Sequence, residues 1–264
     1  MNCYIRVRTT EQLKTALALD GRKILLLDGE LPARLTDEGI IRSFGGKLPE
    51  RSAGGRKSVP EYCICLPDVA RQSRIHLMER ILRSLPDGAG VVVKNLDELG
   101  MLQSIGYQGE LIGDAFLYAM NSQSIQFYLE LFPQMRFIGN EELTFRELKS
   151  LQVDPARMIL KVYGRQVLMI SNQCLSRNYS KCRNREQLFR GKQRDRFIAV
   201  SSCSQCYSTI YNGIGTWIAD RPEAQGYGHV LYDFTIERPE EMMAILRGEQ
   251  PSEFIRGHFE KGIE

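Results

Sequence analysis

Short runs of apolar, strand-forming residues recur along the whole chain with helical patterns between them, and this alternation constrains the fold more than any other feature. The strand candidates are Cys3–Val7, Ile24–Leu27, Tyr62–Leu66, Gly90–Val93, Glu110–Gly113, Met135–Ile138, Met158–Val162 and Val230–Phe234. Helical stretches at Thr10–Leu19, Ala70–Leu85, Asp97–Ile105, Ser122–Phe132 and Phe145–Leu151 separate them. Thr9 or Thr10, Asn95 and Asn121 stand where a side-chain oxygen can accept the free N–H groups of a first helical turn. A last helix is expected over Pro239–Arg247, with Pro at its start and Gly248 at its stop. Eight βα units in 264 residues predict a closed (β/α)8 TIM-type barrel, a fold of about 250 residues, as one domain over 1–264.

Hydrophobic residues at 43% and charged residues at 25% are those of a globular enzyme and exclude disordered and fibrous classes. No run reaches the roughly 18 apolar residues of a membrane span, and Met1–Arg8 mixes charged with apolar positions, so a cytoplasmic protein with no membrane partner is expected. Two segments interrupt the alternation. Gly45–Pro60, rich in Gly, Ser, Arg and Lys, reads as a mobile surface loop. Ser171–Gly228 follows the seventh strand and is expected to emerge at the C-terminal face, where barrels place their active sites.

That second segment, 171–228, carries Cys174, Cys182, Cys203 and Cys206, with seven, twenty and two residues between them. In a reducing compartment such a group points to a metal centre before disulfides, with free thiols or a redox C-x-x-C as the alternative. Spacing does not separate an iron–sulfur cluster from zinc, although the seven-residue gap departs from the paired C-x-x-C of zinc ribbons. Cys3, Cys63 and Cys65, on strand-like segments, read as small core residues. Between Cys174 and Cys206, eight basic residues (Arg177, Lys181, Arg183, Arg185, Arg190, Lys192, Arg194 and Arg196) face two acidic ones. The local charge is +6, leaving −3 for the rest of a chain whose total is +3. This segment could hold RNA or could simply be a solvated loop. Tyr179, Phe189, Phe197, Tyr207, Tyr211 and Trp217 interleave with it or follow it; exposed rings would stack on bases, and core packing is the plainer expectation for Tyr207 and Tyr211.

Asp28, Asp68, Lys94, Asp114, Glu142 and Tyr163 fall at the C-terminal ends of predicted strands, where barrels draw their catalytic residues; each taken singly could be a helix cap. Asp114, Glu142 and Tyr163 are the candidate substrate-positioning residues. Of the three histidines, His76 lies in a helical pattern and reads as structural. No Gly-x-Ser-x-Gly elbow, His-Glu-x-x-His helix, P-loop or Gly-x-Gly-x-x-Gly turn is present, which removes the usual support for serine hydrolase, zincin and nucleotide-hydrolase readings.

Val162-Tyr163-Gly164 followed by Leu168-Met169-Ile170-Ser171-Asn172-Gln173-Cys174 resembles the strand-and-cysteine signature of peptidase family U32, the collagenase-like proteases. Lys94-Asn95, Gly113-Asp114, Glu142-Leu143, Cys203-x-x-Cys206-Tyr207, Asp233-Phe234-Thr235 and Arg256-Gly257-His258-Phe259 extend the likeness from about Val91 onward. The chain has Tyr163 where many members have His, and Asn172-Gln173 where they have Gly-Arg. The resemblance implies a barrel whose cysteines hold a [4Fe-4S] cluster, with Cys174 as the central ligand and Cys182, Cys203 and Cys206 completing it. It further implies a role in hydroxylation of tRNA or ribosomal RNA, or of ubiquinone, and a possible second U32-type subunit or upstream barrel. Two alternatives stay open: a collagenase-like peptidase using Asp114 and Glu142, and a non-catalytic RNA-binding module built on structural zinc.

Overall fold

A computed structural model describes residues 2–32, 61–69, 75–83, 85, 89–175, 186–192, 195–203 and 206–261. Gly45–Pro60 lies outside them. The eight expected strands all form: β1 (Asn2–Val7), β2 (Lys23–Leu27), β3 (Glu61–Cys65), β4 (Gly90–Val93), β5 (Leu111–Gly113), β6 (Arg136–Ile138), β7 (Met158–Gly164) and, after a long excursion, β13 (His229–Asp233). They pair in parallel from β1 to β7, and β13 joins β7 back to β1, so the sheet closes into an α/β TIM-type barrel.

The helices follow their caps. In α1 (Thr10–Ala18) the Thr9 side chain accepts from Gln12 N, and in α3 (Leu96–Ser104) Asn95 accepts from Glu98 N. Between these two lies α2 (Ile75–Arg83), the described part of the helix expected over Ala70–Leu85. Reciprocal capping boxes open α4 (Ser122–Leu131) at Asn121 and α5 (Phe145–Ser150) at Thr144, each satisfying two otherwise orphaned groups. The short α6 (Pro222–Gln225) precedes β13, and α7 (Pro239–Leu246) starts on Pro239 and stops at Gly248, whose φ of +88° suits a residue without Cβ.

Period-two alternation divides each strand between two cores. Outward residues such as Val91, Val93, Leu160 and Val162 pack under the helices, as do Ile5, Val7, Leu25 and Leu27 on the other side of the barrel. Inward residues Tyr4, Ile24, Leu26, Cys63, Cys65, Val92, Ile112, Ile138, Ile159 and Leu231 fill the lumen. Cys63 and Cys65 are thus core residues, at 1% and 3% exposure, while Cys3 is half-buried at the barrel's outer side.

The excursion after β7 builds a second, antiparallel sheet from β8 (Val167–Ser171), β9 (Gln187–Arg190), β10 (Arg196–Ser202) and β11 (Tyr207–Asn212), in the order β8-β11-β10-β9. It starts a few residues earlier than expected, immediately after Gly164. A Cβ at that glycine would come within 2.9 Å of Asp233 Cβ, so only glycine lets the chain leave the barrel there. The chain returns through β12 (Thr216–Trp217), antiparallel to the end of β7.

The sheet sits as a cap on the barrel's C-terminal end. Thr209 Oγ1 donates to Asp68 Oδ2 at 2.8 Å, the Tyr207 hydroxyl accepts from Asp68 N at 3.3 Å, and Ser202 Oγ donates to Glu30 Oε1 at 2.9 Å. Arg8 lies over the Tyr211 ring, 5.7 Å from its centroid. Tyr207 and Tyr211 are each 4% exposed, so the packing role expected of them holds. Trp217 is also core, at 2%. Among the described residues, no helix is long and apolar enough to cross a membrane.

Candidate active site at the barrel mouth

The inward row of every barrel strand continues past its last apolar lumen residue into a polar or thiol side chain. Tyr4 is followed two residues on by Arg6, Leu26 by Asp28, Cys63 by Cys65, Val92 by Lys94, Ile112 by Asp114, Ile138 by Asn140, Ile159 by Lys161 and Leu231 by Asp233. All are buried. Seven of the eight line one cavity at the C-terminal mouth, Cys65 lying below, and the cap sheet roofs it with Gln166, Val167 and Tyr211.

Charges at that depth are tolerated only when paired. Arg6 pairs with Asp114, with Asp233 at 3.2 Å and with Asp28 at 3.9 Å. Arg8 pairs with Asp233 at 2.6 Å and with Asp28 at 3.1 Å. Lys94 Nζ bridges Asp28 at 3.0 Å and Asp68 at 2.5 Å. Lys161 pairs with Glu141. Burial alone would push the Asp28 carboxyl up, but Lys94, Arg8 and Arg6 outweigh it and hold the group well below the usual carboxylate range. Asp233 is lowered in the same way against its own burial, chiefly by Arg8 and Arg6. Lys94 is held above the ordinary lysine value because Asp28 and Asp68 outweigh its desolvation. Lys161 carries the most labile proton of the layer: burial pulls its ammonium down to about 8 against Asp233, while the ion-pair contact with Glu141 favours the charged form.

The sequence-predicted residues divide. Asp28, Asp68, Lys94, Asp114 and Glu142 all line the mouth. Asp114 is committed, one oxygen to Arg6 and the other to Phe116 N at 3.5 Å, so it holds Arg6 in place. Glu142 stands at the rim, its backbone N–H donating to Asn140 Oδ1 at 2.9 Å. Tyr163 does not line the mouth. The β7–β13 register slips between Leu231 and Tyr232, so Lys161 pairs with Leu231 and Tyr163 with Tyr232. The extra residue turns Tyr163 outward, where it packs on Trp217 and Phe234 and donates to Glu237 at 2.9 Å. Arg6, Arg8, Lys161 and Asp233 are mouth residues that strand-end reasoning missed. The readable signal was a lone charge at an inward position of an apolar strand, as in Tyr4-Ile5-Arg6-Val7 and Ile159-Leu160-Lys161-Val162.

The cysteines lie on the cap. Cys174 follows β8, Cys203 follows β10 and Cys206 precedes β11, and the pairings Ser171 with Ser208 and Ser202 with Tyr207 put all three at one end of the sheet. Cys174 is 7% exposed, its neighbour Leu175 N donates to Ser208 Oγ at 3.2 Å, and Cys206 adopts φ +57°. Cys182 lies outside the described residues. Among the described residues no group of three His, Cys, Asp or Glu side chains is disposed to hold a metal ion. Of the basic set, Arg190, Lys192 and Arg196 are exposed around the β9–β10 turn, at the other end of the sheet from the cysteines, and Arg196 pairs with Glu253. Arg177, Lys181, Arg183, Arg185 and Arg194 lie outside the described residues, as does Tyr179. His76 is on the surface of α2, near Glu79, and not in the mouth.

No family model matches the chain, and no curated protein matches it. Among solved structures, the crystal structure of the Bacillus cereus spore cortex-lytic enzyme SleL matches at 11% identity over 87% of this chain, with a TM-score of 0.25. The chain spans 60% of that enzyme's length, and a likeness at this level does not bear on function.

Proposed function

We propose that this chain is a cytoplasmic iron–sulfur barrel enzyme of the U32 kind, or the barrel subunit of one, acting in the hydroxylation of tRNA or ribosomal RNA. The observation that carries the reading is that Cys174, Cys203 and Cys206 fall at one end of the sheet that roofs the charged mouth. Four cysteine thiolates suit an iron–sulfur centre in their chemistry, and Cys182, which stands between β8 and β9 in the sequence, would be the fourth ligand. A [4Fe-4S] cluster held by these thiolates would supply one-electron transfer; zinc on the same thiolates would be closed and structural. In the mouth, Arg6 and Arg8 are fixed by Asp114, Asp233 and Asp28 before any substrate arrives, so they can stabilise developing negative charge without reorganising. Lys161 is the group suited to move a proton, and Glu142 stands where an entering nucleotide would meet it. Arg190, Lys192 and Arg196 offer phosphate contacts on the exposed cap.

A collagenase-like peptidase would need Asp114 free as an acid or base, and its pairing with Arg6 speaks against that. The test is a gene deletion with complementation, read by mass spectrometry of nucleosides from total RNA. One hydroxylated nucleoside should disappear and return with the wild-type gene; an unchanged nucleoside profile would sink the proposal.

A further inference from the structure

Beside the mouth runs a second groove that this chemistry leaves unused. It lies between the start of α1, the turns after β2 and β13, and the barrel-facing side of β10 and β11, and it shares Arg8, Asp28, Asp68 and Tyr211 with the mouth. Three hydrogen-bond donors in it have no partner among the described residues. Thr10 and Glu11 occupy the first two helical positions of α1, where backbone N–H groups precede the first intrahelical bonds. The Thr9 side chain takes Gln12 N and the Thr9 carbonyl takes Leu13 N, which leaves both earlier amides uncovered. The third donor is Thr235, which is 4% exposed and whose hydroxyl is buried without a hydrogen-bond partner. A buried orphan hydroxyl is uncommon in a folded protein, and a ligand atom is one thing that completes it.

Thr235 and Arg8 lie two residues beyond Asp233 and Arg6, so the groove continues the inward rows that build the mouth. The acids around it are largely accounted for. Asp28 is held between Lys94 and Arg8, Asp68 takes Lys94 and the Thr209 hydroxyl, and Glu30 accepts from Ser202. Glu11 and Glu186 are exposed at the rim and limit the groove to a single phosphate of a strand. A single oxyanion suits helix-end amides and one hydroxyl.

We propose that this groove is an oxyanion subsite, holding one phosphodiester of the RNA strand through the amides of Thr10 and Glu11 and the hydroxyl of Thr235. The identity of the oxyanion's carrier rests on the RNA reading; the subsite itself does not.

Two substitutions test it on the full chain. Thr235→Val keeps the shape and removes the hydroxyl. Thr10→Pro removes one amide where proline is favoured, and Thr9 already has the extended backbone (φ −123°, ψ 158°) that a residue before proline requires. Affinity for a fluorescein-labelled single-stranded oligouridine is measured by anisotropy, and the rise in Tm produced by inorganic phosphate is measured in parallel. Without ligand Thr10→Pro should keep the wild-type Tm and Thr235→Val, relieved of a buried orphan hydroxyl, should match or exceed it; each should bind the oligonucleotide about tenfold more weakly and lose the phosphate-induced rise. If wild type ignores the oligonucleotide but phosphate raises its Tm and not that of the variants, the subsite stands and the RNA source falls. Undiminished oligonucleotide affinity and phosphate response in both variants, or no response of wild type to either probe, overturns the subsite.

Discussion

Replacing Lys94 by Met tests whether the charged layer is a closed network. Lys94 is 5% exposed and its Nζ bridges Asp28 at 3.0 Å and Asp68 at 2.5 Å. Removing one partner of a buried ion pair costs about 3–5 kcal/mol because the remaining charge is stranded. Asp28 keeps Arg8 at 3.1 Å, and Asp68 keeps Thr209 at 2.8 Å, which puts the cost at the lower end, about 3 kcal/mol. At roughly 2–4 °C per kcal/mol for a domain of this size, Tm should fall by about 6–12 °C. Urea unfolding at pH 7 measures the loss directly. Lys94→Met combined with Asp68→Asn should be more stable than the single variant by about 1 kcal/mol or more, since the stranded carboxylate is gone. A single-variant cost below about 1 kcal/mol, with no recovery in the double variant, would refute the network.

Further consequences follow from the same geometry. Asp28 is depressed below its ordinary 3.8, so its contribution is present above that pH and lost as pH falls through its folded value; Asp28→Asn should cost stability at pH 7 and flatten the acid limb below about pH 4 in pH-dependent urea melts. Glu98 runs the opposite way. Burial raises it from 4.5 to about 7, so it costs stability increasingly between those values, and Glu98→Gln, which keeps an acceptor for Lys94 N, should stabilise by about 3 kcal/mol at pH 8 and scarcely at pH 4. Tyr118 is exposed at the mouth with φ +50°, a region that suits Gly and Asn; Tyr118→Asn should therefore raise stability by about 1 kcal/mol in the same assay.

The barrel was legible because its strands are apolar on both faces and its helices carry their caps in the sequence, as at Thr9, Asn95 and Asn121. Strand ends pointed correctly to Asp28, Asp68, Lys94, Asp114 and Glu142. Arg6 and Lys161 were hidden because a charge inside an apolar strand reads as an exception until closure of the sheet gives the inward row a common centre. Tyr163 was misplaced for a different reason: one extra residue in β7 reverses its face, and no local pattern announces that slip. The cap sheet was hidden by its mixed polarity. Its β11 alternates Tyr207, Thr209 and Tyr211 towards the mouth, and the partners of those residues, Asp68 and Arg8, are distant in sequence.

The proposed four-cysteine centre is tested most directly by anaerobic purification of wild type and Cys203→Ser, followed by visible absorption and iron, sulfide and zinc analysis. A brown protein with about four irons and four sulfides per chain, both lost in the variant, is the expected result. One zinc per chain and no colour would contradict it, leaving a structural site on the cap and removing the redox chemistry on which the RNA hydroxylation proposal depends.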